Sequence, residues 1–523
     1  MIQRRTLIRA AAALSAAPAA LTLSGCASTA QPSDPTRVRG AGGWLQGARS
    51  ERADKVVVFR NVPFGENPYT AERRFLAPVP AAPWEGVRDA TKPGSIPLQP
   101  ARDGKGMIGG GDALVLNVWA PEGAQGCPVM VWIPGGGSTN CDNNDPRFDG
   151  SAFARDGVVL VTLNYRVNVD GFLKLEGGDS DNGVRDMILG LTWVRDNIAA
   201  FGGDPARVTV FGQSAGGTHI TSLLASPLAR GLFSQAIIQS PSAVAQWSTP
   251  ADADHAAKVF SEKLGIAPTR AAFTAFPEAD LIAMRKIVGG LAQDEDWGRF
   301  SKGNTAVFKP YVDGEVLTAR PVDAIRAGAA ACVRVLAGCA REEWRHYVVP
   351  SGAIEKLGEP EIARLIRSSG QREDLGEQYR LAGHGKTPGE IFTRMQGDLI
   401  FRMPCNKLLE SLAAAGNPVW AYSFDRRSQV KGKSGAVIGA AHSCDVPYVF
   451  GTLDAPGSVA ANGADAPQAL SDEMHAAWVR FAKTGNPGWA AFETGKRFTR
   501  LFDEEVRTHS DPWAFERRAM KLD

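Results

Sequence analysis

Short apolar runs alternate along the chain with amphipathic stretches, and this alternation limits the fold more than any other feature. Val129–Ile133, Val158–Leu163, Val208–Phe211, Ala236–Gln239, Val333–Ala337 and Val419–Phe424 are rich in β-branched or small apolar residues, with few polar interruptions. Such runs read as strands buried on both faces. Helical periodicity lies between several of them. Val184–Asn197 places Met187, Leu191 and Val194 on one stripe, and Ser214–Leu224 follows its strand directly. Strand and helix in alternation predict an α/β fold: a mostly parallel central sheet with helices on both faces. Pro250–Arg299 and Leu357–Arg402 break the rhythm. They are charged and helical, and are expected to form insertions over one end of the sheet, where such segments shape a substrate entrance. There is no internal repeat.

The alternation begins only after a leader. Arg4 and Arg5 precede an apolar, alanine-rich stretch from Ala10 to Leu23, interrupted by Pro18 and too short for a confident membrane span. Paired arginines of this kind point to twin-arginine export. Leu23-Ser24-Gly25-Cys26 resembles a bacterial lipobox, in which Cys26 would be lipidated and become the mature N-terminus. Cleavage after Ala30, giving a free periplasmic protein, is the alternative. Residues 27–39 read as a tether, and 40–523 as one folded domain. The expected destination is therefore the periplasm, or a membrane face reached only through Cys26.

Composition excludes several functions. The 523 residues carry 58 basic and 56 acidic side chains, a net charge of +2, which gives no general attraction to nucleic acid. Apart from Cys26 the cysteines are Cys127, Cys141, Cys332, Cys339, Cys405 and Cys444. No pairing can be deduced from their spacing. A strand between Cys332 and Cys339, at about 3.3 Å per residue, would hold those two too far apart to bond. No Cys or His spacing matches a zinc site.

Chemistry is concentrated at Gly212-Gln213-Ser214-Ala215-Gly216, between a strand and a helix. Glycines on either side let such a turn pack tightly, and the strained serine projects its hydroxyl at a helix N-terminus. A serine nucleophile needs a base and fixed donors for the oxyanion it creates. Trp132-Ile133-Pro134-Gly135-Gly136-Gly137-Ser138 supplies glycine N–H groups behind a buried strand.

Further ordered motifs accompany these. They include Phe59-Arg60-Asn61-Val62-Pro63-Phe64-Gly65, Trp84-Glu85-Gly86-Val87-Arg88-Asp89-Ala90-Thr91, Asp112-Ala113-Leu114-Val115-Leu116-Asn117-Val118, Asn164-Tyr165-Arg166, and the unbroken stretch from Trp193 to Gly217. With them the chain resembles the type-B carboxylesterase family, α/β-hydrolases that include cholinesterases and bacterial para-nitrobenzyl esterases, from about Gly40 to Phe502. The resemblance implies a Ser-Glu-His order along the chain. Ser214 is then the nucleophile. The family's acidic pair maps onto Glu342-Glu343, with Glu343 as the acid and Glu342 as its rival. Gly439-Ala440-Ala441-His442 supplies the base, His442. Gly136 and Gly137 with Ala215 would form the oxyanion hole, with Gly135 less firmly placed.

Departures from the family pattern are Pro134 before the glycines, Ser138 where an aromatic residue is usual, and Gln213 where glutamate is commoner. Ile96 and Ala113 stand where a family disulfide would be, and Pro97–Asp112 has no aromatic residue, which argues against choline esters. The implied activity is hydrolysis of small-molecule carboxylic esters through an acyl-enzyme, and acyl transfer by a serine nucleophile requires neither metal nor organic cofactor. The competing readings are a non-catalytic, neuroligin-like binding protein on the same scaffold, or the same triad acting on thioesters, amides or lactones.

Overall fold

The computed structural model describes residues 34–101, 103–242, 248–291, 297 and 307–520. The paired arginines, the lipobox-like segment and Cys26 lie outside them. Most of the described chain is organised by one eleven-stranded sheet. Its strands in chain order are β1 (Ala48–Arg49), β2 (Val56–Pro63), β3 (Val115–Pro121), β4 (Cys127–Ile133), β5 (Val159–Leu163), β6 (Gly203–Gln213), β7 (Gln235–Gln239), β8 (Arg334–Ala340), β9 (Val419–Phe424), β10 (Phe498–Phe502) and β11 (Arg507–Ser510). Across the sheet they run β11-β10-β9-β8-β7-β6-β4-β5-β3-β2-β1. Pairing is parallel from β5 to β10 and antiparallel at both margins.

Burial follows the pleat. Val129, Val131 and Ile133 of β4 face one core, while Met130 and Trp132 face the other. Helix α1 (Asn182–Asn197) lays Val184, Met187, Leu191 and Val194 on the first core, together with Ile220 and Leu223 of α2 (Ala215–Ala225). Helix α3 (Gln468–Thr484) covers the opposite face with Met474, Trp478 and Phe481. Trp132 and Trp193 both pack as core residues.

The chain leaves β4 toward β5 on one side, then returns to place β6 on the other side of β4. Neighbouring strands whose connections part in this way leave a crevice at their carboxyl ends. Register makes the crevice specific. Phe211 pairs with Trp132 and Gly212 with Ile133, which sets Ser214 beside the glycine turn that follows β4. Gln213 pairs with Gln239, and Gln239 with Gly338.

The structure corrects some boundaries. The tether is shorter than expected, because Arg37–Gly40 forms a strand with Gly43–Gln46. Val38 lies opposite Leu45, and the Arg37 guanidinium sits 4.9 Å over the Trp44 ring. The folded unit accordingly begins at Thr36. β6 starts at Gly203, with an irregularity before Val208 that spans Pro205, a residue without an N–H for the ladder. Among the described residues both insertions are largely helical, and the second ends in a π-helical turn, Asp398–Arg402. All six described cysteines are free; Cys332 precedes β8 and Cys339 lies within it. No helix of the described residues is long and apolar enough to cross a membrane.

Candidate active site

Ser214 stands at the junction of β6 and α2 with φ 60° and ψ −125°, outside the regions open to an ordinary residue. The turn is held by close packing. A β-carbon on Gly216 would lie 2.0 Å from the Ile133 carbonyl oxygen, and one on Gly212 would lie 2.7 Å from the same oxygen. Ser214 N–H donates to Gln239 O at 2.9 Å. The hydroxyl is thereby carried at the open end of the sheet on the N-terminus of α2.

The glycine turn abuts it. A β-carbon on Gly135 would approach Ser214 Cβ to 3.1 Å. Gly136, at φ 125°, has its carbonyl oxygen bonded by Thr139 N–H, Asn140 N–H and the Thr139 hydroxyl. Gly136 O and Gly137 N belong to one trans peptide, so pinning the oxygen aims the Gly137 N–H the other way. Among the described residues, no group accepts from the N–H of Gly136, Gly137 or Ala215. Three uncommitted donors therefore sit beside one serine.

The base side is assembled from farther away. The His442 imidazole donates from Nδ1 to Glu343 Oε2 in a short contact. The other carboxylate oxygen, Oε1, accepts from the Ser240 hydroxyl at 2.7 Å and from Ala340 N–H at 2.7 Å. Glu343 and His442 are 1% and 3% exposed, and His442 N–H also donates to Glu343 O. Glu342, the rival, points elsewhere. Its Oε2 accepts from Ala440 N–H and forms an ion pair with Arg427, both at 3.0 Å.

With Nδ1 carrying the proton, Nε2 keeps its lone pair; the Gln213 carboxamide nitrogen lies over the ring, 3.0 Å from Nε2 and 3.4 Å from Nδ1, and not in line with that lone pair. No hydrogen bond joins Ser214 Oγ to His442 among the described residues. Gln213, the immediate neighbour of Ser214, contacts the imidazole instead. Sequence reasoning noted Gln213 only as a departure and did not anticipate this contact.

Other members of the site left no sequence signal. Phe401, on the π-helical turn, packs its ring 4.4 Å from that of His442. That turn is anchored by a buried network in which Arg402 bonds Asp398 and Glu516. π-Turns of this kind recur at functional sites. His346 lies 5.9 Å from His442, ring to ring, and its pKa is pushed down to about 4 by burial and then by His442. Asp445 is fully buried, bonded by Gln239 and the Tyr422 hydroxyl, and burial raises its pKa above the usual carboxylate range. Ser138, which stands where the family usually has an aromatic residue, is buried with its hydroxyl on His219.

Comparison with known proteins gives one consistent result. The profile described as "Carboxylesterase family" matches residues 34–510. A para-nitrobenzyl esterase of Bacillus subtilis is 33% identical over 490 residues, covering 88% of this chain and 94% of that one. A fumonisin B1 esterase of Sphingopyxis macrogoltabida is 34% identical, covering 90% of this chain and 86% of that one. Among solved structures, a carboxylesterase of Geobacillus stearothermophilus superposes with a TM-score of 0.80 at 31% identity, over 93% of this chain and 100% of that one.

Proposed function

The chain belongs to the carboxylesterase family, with the α/β-hydrolase fold, and is a serine ester hydrolase; from that premise we propose that Ser214, His442 and Glu343 carry the reaction. The observation that carries the assignment is the Glu343–His442–Gln213 chain of contacts ending one residue from Ser214. Glu343 holds the imidazole in the tautomer whose Nε2 can accept a proton, and stabilises the imidazolium that forms. With substrate bound, Nε2 takes the proton of the Ser214 hydroxyl. The deprotonated serine attacks the ester carbonyl, and the oxyanion is received by the N–H groups of Gly136, Gly137 and Ala215. His442 protonates the leaving alcohol. Water, deprotonated by the same imidazole, releases the acid from Ser214.

Small-molecule carboxylic esters are the substrate class. Pro97–Asp112 offers no aromatic face for a quaternary ammonium, so neutral alcohols are preferred over choline. Ser214→Ala is expected to lower turnover of a short-chain aryl ester by about 10⁴-fold or more. A variant retaining most wild-type turnover would exclude Ser214 as the nucleophile.

Export and anchoring form a separate proposal. Arg4-Arg5 and the segment ending at Cys26 support delivery to the periplasm with lipid attachment at Cys26. Palmitate labelling that disappears in Cys26→Ala supports the anchor, and labelling unchanged in that variant removes it.

A further inference from the structure

Ser138 closes the glycine turn at φ 58°, a left-handed conformation unfavourable for a residue with a β-carbon. It is 3% exposed, and its Oγ lies 3.1 Å from His219 Nε2. His219 belongs to α2, little more than one turn beyond Ser214, and takes no part in the proton transfers above. Its ring lies parallel to Phe172, 4.9 Å away with 4° between planes, and meets Tyr165 edge-on at 5.3 Å. The Tyr165 hydroxyl donates to Pro134 O at 2.7 Å. Asn168 donates from its backbone to Ser138 O at 2.7 Å and from its side chain to Thr139 O at 2.8 Å. Both ends of the turn between Pro134 and Thr139 are thus tied to one aromatic platform.

His219 is a poor choice for packing alone. Its Nδ1 has no partner among the described residues, and an unsatisfied buried polar atom costs about 1–3 kcal/mol. Burial lowers its pKa to about 3, so the ring stays neutral and can exchange one hydrogen bond with the Ser138 hydroxyl. The reason for a fixed point here lies in the glycines. Gly136 and Gly137 have no β-carbon to oppose rotation of their peptide planes, yet an oxyanion hole works only if its donors are already aimed. Pinning Gly136 O fixes one plane, and a second restraint is required at the far end of the turn.

We propose that Ser138 and His219 are positioning residues of the oxyanion hole: His219 holds the Ser138 hydroxyl, and through it holds the Gly136 and Gly137 N–H groups in register with Ser214. The inference rests on the assignment of the hole above. Four variants test it: Ser138→Ala; His219→Phe, which keeps the stack on Phe172; His219→Gln, which restores a hydrogen-bonding group; and the Ser138→Ala/His219→Phe double variant. Each is assayed for kcat and KM on an aryl ester, and for inhibition by a trifluoromethyl ketone, whose serine adduct places an oxyanion in the hole.

Ser138→Ala and His219→Phe should each lower kcat about tenfold with KM changed by less than about twofold. Affinity for the ketone should fall in proportion. The double variant should lose no more than the worse single one, and His219→Gln should recover most of the kcat lost in His219→Phe while melting at the same temperature. The inference is overturned if kcat and ketone affinity stay within about twofold of wild type, if the two losses multiply, or if KM takes the change. Should His219→Phe fail to fold, Ser138→Ala, which removes one hydroxyl, decides alone by the same criteria. Failure of the underlying assignment looks different: wild type itself would not be inhibited by the ketone, or Ser214→Ala would remain active.

Discussion

The two halves of the proposed active site are built differently. The nucleophile half is a matter of backbone: β4 and β6 are adjacent parallel strands, and glycines at 135, 212 and 216 let their following turns touch. The base half is a matter of side chains. Glu343 follows β8, His442 lies 99 residues later, and Phe401 reaches them from a π-turn in an insertion. A site made of backbone is fixed by local register and tolerates no added atom at its contact points. A site made of converging side chains is fixed by charge and hydrogen bonding, and its failure leaves the fold standing.

That contrast can be broken at Glu343. Glu343→Gln keeps the shape but presents an amide to Nδ1 and destroys the preference for the productive tautomer. A loss of about 10³–10⁴-fold in kcat is expected, with the melting temperature little changed. Glu342→Gln, one residue away and outside the relay, should change kcat by less than about threefold. Equal losses in the two would erase the distinction between them.

The backbone half should fail in the opposite manner. Gly216→Ala forces a methyl group to 2.0 Å from a carbonyl oxygen that cannot move without shifting β4. Destabilisation of about 3 kcal/mol or more, or loss of soluble protein, is expected. Gly289→Ala, in the helix Ala283–Leu291 with nothing within 4 Å, should instead be neutral or stabilising by up to about 1 kcal/mol. Unfolding midpoints of the two variants check this.

These differences explain what could be read from the chain. β4 to β9 and helices α1 and α2 announced themselves through apolar runs and periodicity, and the nucleophile turn through its glycines. Glu343 and His442 could be placed only by resemblance, since nothing local in Glu342-Glu343 says which carboxylate turns inward. The choice follows from Ser240 and Ala340 N–H, which hold Glu343, whereas Arg427 draws Glu342 away. The Gln213 contact and the π-turn were illegible because each depends on tertiary packing. The strand Arg37–Gly40 was missed because four residues beside a small, polar segment carry little periodic signal.

Phe401 sharpens the comparison at smaller scale. Phe401→Ala removes the face against which the imidazole rests, so kcat should fall about tenfold while the Glu343 contact survives. A kcat within about twofold of wild type would make that ring a packing residue only.

A separate effect concerns acid. His219 is neutral in the fold, with its pKa lowered to about 3, whereas the unfolded chain binds a proton near the ordinary value of about 6.5. Its contribution to stability is therefore full above about pH 6.5 and is lost as pH falls from there toward 3. Between pH 7 and 4.5 this amounts to about 2–3 kcal/mol, and His219→Gln should show a shallower decline in melting temperature over that interval. An identical decline in the two proteins would contradict it.

The central claim is that one hydroxyl is activated by the Glu343–His442 pair. Treatment of the wild-type enzyme and of Glu343→Gln with a fluorophosphonate, followed by peptide mass spectrometry, tests it most directly. A single adduct on Ser214, formed at least about a hundredfold more slowly in Glu343→Gln, is the predicted result. An adduct on any other residue, or equal labelling rates in the two proteins, would contradict the account.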